Sequence, residues 1–262
     1  MINKTKQTLL LTGGLGLLGR AFAEFLDENG YHVIVVDVQE DRSSLSVGID
    51  YIEFDLMRID DYPWLREEVG KKTDNLKGLI NNAAFNPKIE EGCESFGKFE
   101  DITMDSWDCE IKLNLTVPVF LIKEMLPVFN RKDGKNCKIV NVLSTYGLVP
   151  PNQGIYKTLS TKQGKEYVKP LSYSASKAAL GMVTKYLAVY FGKKGFNVNA
   201  IVPGGIENSQ PEEFVEAYSR LTPMGRMGKV DDFLEVVNLL CGSGSDYMNG
   251  QLIAVDGGWT GW

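Results

Sequence analysis

Seven short apolar runs, separated by stretches with helical spacing, constrain this chain more than any other feature. The runs are Thr8–Thr12, His32–Asp37, Tyr51–Phe54, Gly78–Asn81, Lys138–Leu143, Asn197–Val202 and Leu252–Val255. They are continuous and rich in Val, Ile and Leu, the pattern of strands buried on both faces. Between them, Leu17–Asn29, Asp60–Lys72, Met104–Arg131, Ser172–Lys193 and Lys229–Cys241 repeat apolar residues with a helical period. This alternation predicts one α/β domain over residues 1–262, a doubly wound, seven-stranded parallel sheet with helices on both faces. Two polar, turn-rich stretches, 85–103 and 147–171, break the pattern. Both follow strands, which is where open α/β sheets bind ligands.

The first strand runs into Thr12-Gly13-Gly14-Leu15-Gly16-Leu17-Leu18-Gly19 and then a helix. Gly14, Gly16 and Gly19 form a G-x-G-x-x-G pattern, in which glycine permits a tight turn, close approach of backbone to a pyrophosphate, and close helix–strand packing. N–H groups at the start of the helix then face the phosphates. Alone the pattern is weak, because glycine turns also serve purely structural ends. Here Asp37 closes the second strand 18 residues past Gly19, near the ~20 expected of a ribose-binding acid. Its carboxylate can accept from both adenosine ribose hydroxyls and repels a 2′-phosphate. The neighbours Val38 and Leu15 bring no cation, and only Arg42 lies near, so NAD is expected over NADP. The arrangement is a Rossmann fold.

Composition narrows the class. A net charge of −6 is not the basic footprint of a nucleic-acid binder. No apolar run reaches the ~18–20 residues of a membrane span, and the first residues lack the apolar stretch of a signal peptide, so a cytosolic protein is expected. Cys93, Cys109, Cys137 and Cys241 lie far apart, and His32 is the only histidine. Structural thiols and no metal are expected, with His32 packed at a strand head.

Tyr173-Ser174-Ala175-Ser176-Lys177 opens an apolar helix with a Y-x-x-x-K spacing that sets phenol and ammonium on one face. A free tyrosine, with a pKa of ~10, is a poor acid or base at neutral pH, and a nearby lysine lowers that value. With these residues the whole chain resembles a short-chain dehydrogenase/reductase. Asn81-Asn82-Ala83-Ala84, Asn141-Val142-Leu143-Ser144-Thr145-Tyr146-Gly147, Asn114, Pro203-Gly204-Gly205-Ile206 and Val255-Asp256-Gly257-Gly258 match further motifs of that family in order.

The resemblance implies hydride transfer between a nicotinamide and a secondary alcohol or carbonyl, with Asn114, Ser144, Tyr173 and Lys177 catalytic. It implies a dinucleotide held by Gly13, Gly14, Gly16, Leu17, Leu18, Gly19, Asp37, Asp55, Leu56, Asn82, Ala83, Ala84, Tyr173, Lys177, Pro203, Gly204 and Ile206. It also implies pairing of the helices Met104–Arg131 and Ser172–Lys193 into a homodimer or homotetramer, which the tail ending in Trp259 and Trp262 is expected to join.

Three departures stand out. The glycine turn has the T-G-x-x-G-x-x-G spacing of the family's longer, sugar-nucleotide-modifying branch. Ser144 and Tyr173 are separated by an insertion, 147–171. Asn208 stands where a threonine is usual. The insertion, the segment Pro203–Pro211 and the aromatic ending resemble a bacterial subgroup described as flagellin-modification or surface-polysaccharide oxidoreductases. Lys157, Lys162, Lys165 and Lys169 in the insertion, with Lys88 on the other loop, suit an anionic substrate such as a sugar phosphate, although such lysines are more often just solvated. A sugar-nucleotide epimerase or dehydratase, and a non-catalytic redox sensor, remain open as alternatives.

Overall fold

The computed structural model describes residues 6–86, 98–131, 136–157, 160 and 167–261. The strands are β1 (Thr8–Thr12), β2 (His32–Asp37), β3 (Asp50–Glu53), β4 (Leu76–Asn81), β5 (Cys137–Val142), β6 (Phe196–Pro203) and β7 (Leu252–Val255). They form one sheet in the order β3-β2-β1-β4-β5-β6-β7, all pairs parallel. The helices are α1 (Leu17–Glu28), α2 (Tyr62–Lys72), α3 (Met104–Ile111), α4 (Val117–Met125), α5 (Leu171–Phe191), α6 (Glu212–Leu221) and α7 (Leu234–Cys241).

Alternation along the strands divides the core between the two faces. Leu10, Ile34, Val36, Ile52, Leu79, Ile139 and Val198 meet α2, α4 and α5 through Leu65, Leu121, Met125 and Ala188. Leu9, Leu11, Val33, Val35, Ile80, Val140 and Ile201 meet α1 and α7 through Phe22, Leu26, Val237 and Leu240. With both faces covered, β1, β4, β5 and β6 are buried along their whole length and β2 all but its first residue, which is why apolar residues dominate the runs. Chain order reverses between β1 and β4, so the crevice beyond their carboxyl ends is the place for a ligand.

Three expectations need correction. The stretch 104–131 is not one helix: a π turn over Lys112–Thr116 separates α3 from α4, and α4 ends at Met125. Pro118 accounts for the break, because it lacks the N–H that would close an α-helical bond onto the Asn114 carbonyl four residues back. Helix α6 was not expected. Trp259 is buried within the chain, its ring stacked on Tyr218 with centroids 4.2 Å apart, so it cannot serve a partner subunit. Trp262 lies outside the described residues.

His32 is packed at the head of β2 as expected, between the Thr8 hydroxyl and the Asp50 carboxylate. Cys109, Cys137 and Cys241 form no disulfide, and Cys93 lies outside the described residues. Among the described residues no helix is long and apolar enough to cross a membrane, and no cluster of side chains suits a metal.

Candidate active site

A cleft of about 790 Å³ opens at the carboxyl ends of the strands, from Asp37 at one end to Tyr173 and Tyr218 at the other. Its β1 rim is held by a small polar knot. The Thr12 hydroxyl accepts from the Asn82 and Ala83 N–H groups at 3.0 and 3.1 Å, and the Asn82 amide donates to the Thr12 and Gly13 carbonyls at 3.0 Å. Gly13 adopts a left-handed φ of +65°, and a Cβ there would sit 2.7 Å from the Ala83 Cα. A Cβ on Gly19 would lie 2.0 Å from the Gly13 carbonyl oxygen, so α1 starts hard against the turn. No side chain caps α1, which leaves its first turn facing the cleft.

Every residue assigned from sequence to the dinucleotide lines this cleft except Gly14. Gly14 faces the sheet instead, where a Cβ would lie 2.4 Å from a Val35 methyl. It serves packing against β2. Asp37 is 7% exposed, and its carboxylate accepts from the N–H groups of Leu15 (2.9 Å), Val38 (2.8 Å) and Gln39 (3.2 Å). It therefore ties the glycine turn to the end of β2 while facing the cleft, with oxygen lone pairs to spare.

Ser144, Tyr173 and Lys177 meet at the other end. A buried polar chain sets their register: the Asn81 amide donates to the Asn141 side chain at 2.8 Å, and Asn141 donates to the Thr184 hydroxyl at 2.9 Å, which locks β4, β5 and α5 together. The Lys177 ammonium donates to the Val142 carbonyl at 2.8 Å and lies 5.9 Å from the Tyr173 ring centroid. The Asn114 amide group exchanges hydrogen bonds with the Phe85 backbone at 2.8 and 3.0 Å and donates to the Ser176 hydroxyl at 3.3 Å. Its side chain thus binds the loop after β4 rather than facing the cleft, from whose lining it is absent.

The expected lowering of the tyrosine pKa is not what these residues produce alone. Burial pushes Tyr173 up to about 12, helped by the Glu110 carboxyl and opposed by a hydrogen bond from Ser144. Burial likewise brings Lys177 down to about 8. The physical reason is common to both: desolvation disfavours the charged form of each group.

The substrate side is walled by aromatics. Tyr146, Tyr156, Phe214, Tyr218 and Met227 line it, and Asn208 and Gln210 stand at its edge. Tyr218 also accepts a 2.6 Å bond from the Gly205 N–H, which fixes the turn after β6. Sequence reasoning missed this wall because it missed α6, although Phe214 and Tyr218 are spaced four apart behind Pro211 and two acidic residues. The insertion does reach the cleft, through Tyr156 and Lys169. Lys157 lies off the cleft lining, and Lys88, Lys162 and Lys165 lie outside the described residues.

The family model described as enoyl-(acyl carrier protein) reductase matches residues 16–260. The chain is a short-chain dehydrogenase/reductase. It is 29% identical to the 2-dehydro-3-deoxy-D-gluconate 5-dehydrogenase of Dickeya dadantii, over 98% of this chain and 96% of that protein. It is 27% identical to an uncharacterized short-chain type dehydrogenase/reductase, y4vI, of Sinorhizobium fredii, spanning 97% of this chain but only 43% of that relative's length. Among solved structures, a short-chain dehydrogenase of Leptospira borgpetersenii with bound NAD+ superposes with a TM-score of 0.84 at 29% identity, covering 97% of this chain and 93% of that one. None of these three carries the flagellin-modification or surface-polysaccharide description expected from sequence. This short-chain dehydrogenase/reductase is an oxidoreductase acting on CH–OH groups.

Proposed function

We propose that the chain is an NAD-dependent dehydrogenase/reductase that interconverts a secondary alcohol and its ketone on a small, polyhydroxylated substrate. One observation carries this reading: a single cleft joins an uncapped helix start and Asp37 to Ser144, Tyr173 and Lys177. The first half fits a dinucleotide, because the uncapped start of α1 brings its N–H groups to the cleft beside Gly13 and Gly16, where a diphosphate can accept from them. Asp37 favours NAD over NADP, since its carboxylate faces the ribose position and three backbone N–H groups fix it there. The sugar-acid dehydrogenase relative from Dickeya dadantii supports the substrate class.

The nicotinamide, when bound, gives or accepts the hydride. Tyr173 handles the proton: its phenol oxygen takes the hydroxyl proton in oxidation and returns one in reduction. Ser144 donates to the substrate oxygen and holds it against Tyr173. Lys177 lies beneath the phenol and holds the nicotinamide ribose. Asn114 positions a water that connects Lys177 to solvent, through the main-chain carbonyl whose α-helical partner is lost at Pro118. The outward residues Met182, Tyr186, Val189 and Tyr190 of α5, with Phe120 of α4, suit pairing with a second copy. Cysteines that form no disulfide among the described residues suit a cytosolic setting.

The test is incubation with NAD+ or NADP+ and a panel of polyols, sugars and sugar acids, following absorbance of the reduced nicotinamide. Turnover on at least one, abolished by Tyr173→Phe with both ligands still bound, is expected. Sustained turnover by Tyr173→Phe would remove Tyr173 from the reaction.

A further inference from the structure

Lys169 is a lysine that the dehydrogenase chemistry does not need. It is 8% exposed, yet it lines the cleft beside Tyr146, Tyr156 and Tyr173. Burying an ammonium is costly, so its placement calls for a function or a strong structural hold. The hold is plain. Tyr167, two residues earlier, is anchored in the aromatic cluster with Phe214 and Tyr218. The Gln153 side chain grips the Lys169 backbone on both sides, accepting from its N–H at 2.9 Å and donating to its carbonyl at 3.4 Å. Pro170 then fixes the entry to α5. The result is an ammonium 4.3 Å from the centroid of the Tyr173 ring, also bonded to the side-chain oxygen of Asn86.

That position is within one small molecule of the Tyr173 oxygen. The only charged groups in the cleft lining, among the described residues, are Asp37 and Asp55 at the adenosine end and Lys169 and Lys177 at the other. Glu110 is close enough to feel Lys169 but does not line the cleft, and it is bonded by the Ser172 hydroxyl at 2.9 Å. Burial raises its pKa, opposed by the Ser172 bond and by the charge of Lys169. Among the described residues, the lining at that end thus holds two cations and no carboxylate, one cation beyond the lysine that the reaction uses.

We infer that Lys169 is the specificity-determining residue of the pocket and that it selects a hydroxy acid, binding a carboxylate carried close to the carbon that reacts. A single ammonium beside an amide suits a monoanion. Asn86, now held by Lys169, would then donate its amide to the same carboxylate. This inference rests on the reading of the cleft as a dehydrogenase site.

The experiment measures binding of D-gluconate and its uncharged counterpart D-gluconamide to the enzyme–NADH complex, by quenching of nicotinamide fluorescence. The wild type should bind the acid at least about tenfold tighter than the amide. Lys169→Met should bring the two within about twofold, and Lys169→Arg should keep most of the preference. Equal binding of acid and amide by the wild type, binding of neither, tighter binding of D-glucose 6-phosphate than of gluconate, or a preference that survives Lys169→Met would each overturn the inference. NADH binding, read first, separates the two levels: its absence in the wild type sinks the dehydrogenase reading itself, and its retention in Lys169→Met shows that the variant is folded.

Discussion

Asp37→Asn separates two effects that the structure loads onto one carboxylate. The first is local. One oxygen accepts from Leu15 and the other from Val38 and Gln39, so both faces of the group meet N–H donors. An asparagine has one oxygen and must turn its NH2 toward one side. Keeping oxygen on Val38 and Gln39 leaves the Leu15 N–H opposed by a donor, at a cost of ~1–3 kcal/mol. That loosens the glycine turn and should weaken both cofactor forms together, with a drop in Tm of several degrees. The second effect is specific. A 2′-phosphate of nearly two charges about 5 Å from a carboxylate is repelled by ~1–3 kcal/mol at effective dielectric constants between 40 and 80, or about ten- to hundredfold in affinity. Removing the charge should close the gap between NADH and NADPH by that factor while NADH itself weakens. Fluorescence titration of both cofactors, at two salt concentrations, reads the ratio directly, and screening should shrink the wild-type gap at high salt. A cofactor ratio unchanged between wild type and Asp37→Asn would refute the charge argument. A changed ratio with unchanged Tm would refute the local one.

Oxidation should become faster toward alkaline pH and reduction slower, because a phenol pushed up to about 12 holds its proton at neutrality, as reduction requires; matching pH profiles in the two directions would contradict this assignment. Gly19→Ala should cost at least ~3 kcal/mol in stability, since its Cβ would fall 2.0 Å from the Gly13 carbonyl oxygen, and denaturant unfolding measures it. Pro118→Ala restores the N–H missing from the Asn114 turn, and should lower kcat several-fold at unchanged NADH affinity as the π turn relaxes. A monomer by light scattering at micromolar concentration would remove the proposed pairing of the exposed α5 face.

Much of the frame was legible because burial on both faces of a parallel sheet leaves a simple trace. β1, β2 and β7 have the bounds read from the runs, since a glycine or an acid ends each apolar stretch abruptly. The cofactor half was legible for a related reason: its demands are local, and a glycine or an aspartate at a strand end states them within a few residues. Even so, the pattern named glycine positions without their reasons. Only the backbone separates Gly13, which needs a left-handed φ, from Gly14, which needs room beside Val35.

The substrate half was opaque because nothing local encodes it. Apolar periodicity carries on through 104–125, so the inserted turn at Asn114 is invisible to a period count; the one warning was Pro118, inside an otherwise helical pattern. Tyr218 and Trp259 stack from positions far apart in sequence, and Tyr218 then reaches back to Gly205. Lys169 shows the same limit most sharply. In sequence it is one of several insertion lysines, indistinguishable from a solvated run. What sets it apart is the Gln153 clamp, formed across the insertion, and the ring of Tyr173 beneath its ammonium. A long insertion between the serine and tyrosine motifs thus does more than lengthen a loop. Its two ends lie at the reaction centre and it brings Tyr156 and Lys169 into the cleft lining, so those two side chains are where the proposed selectivity is tested.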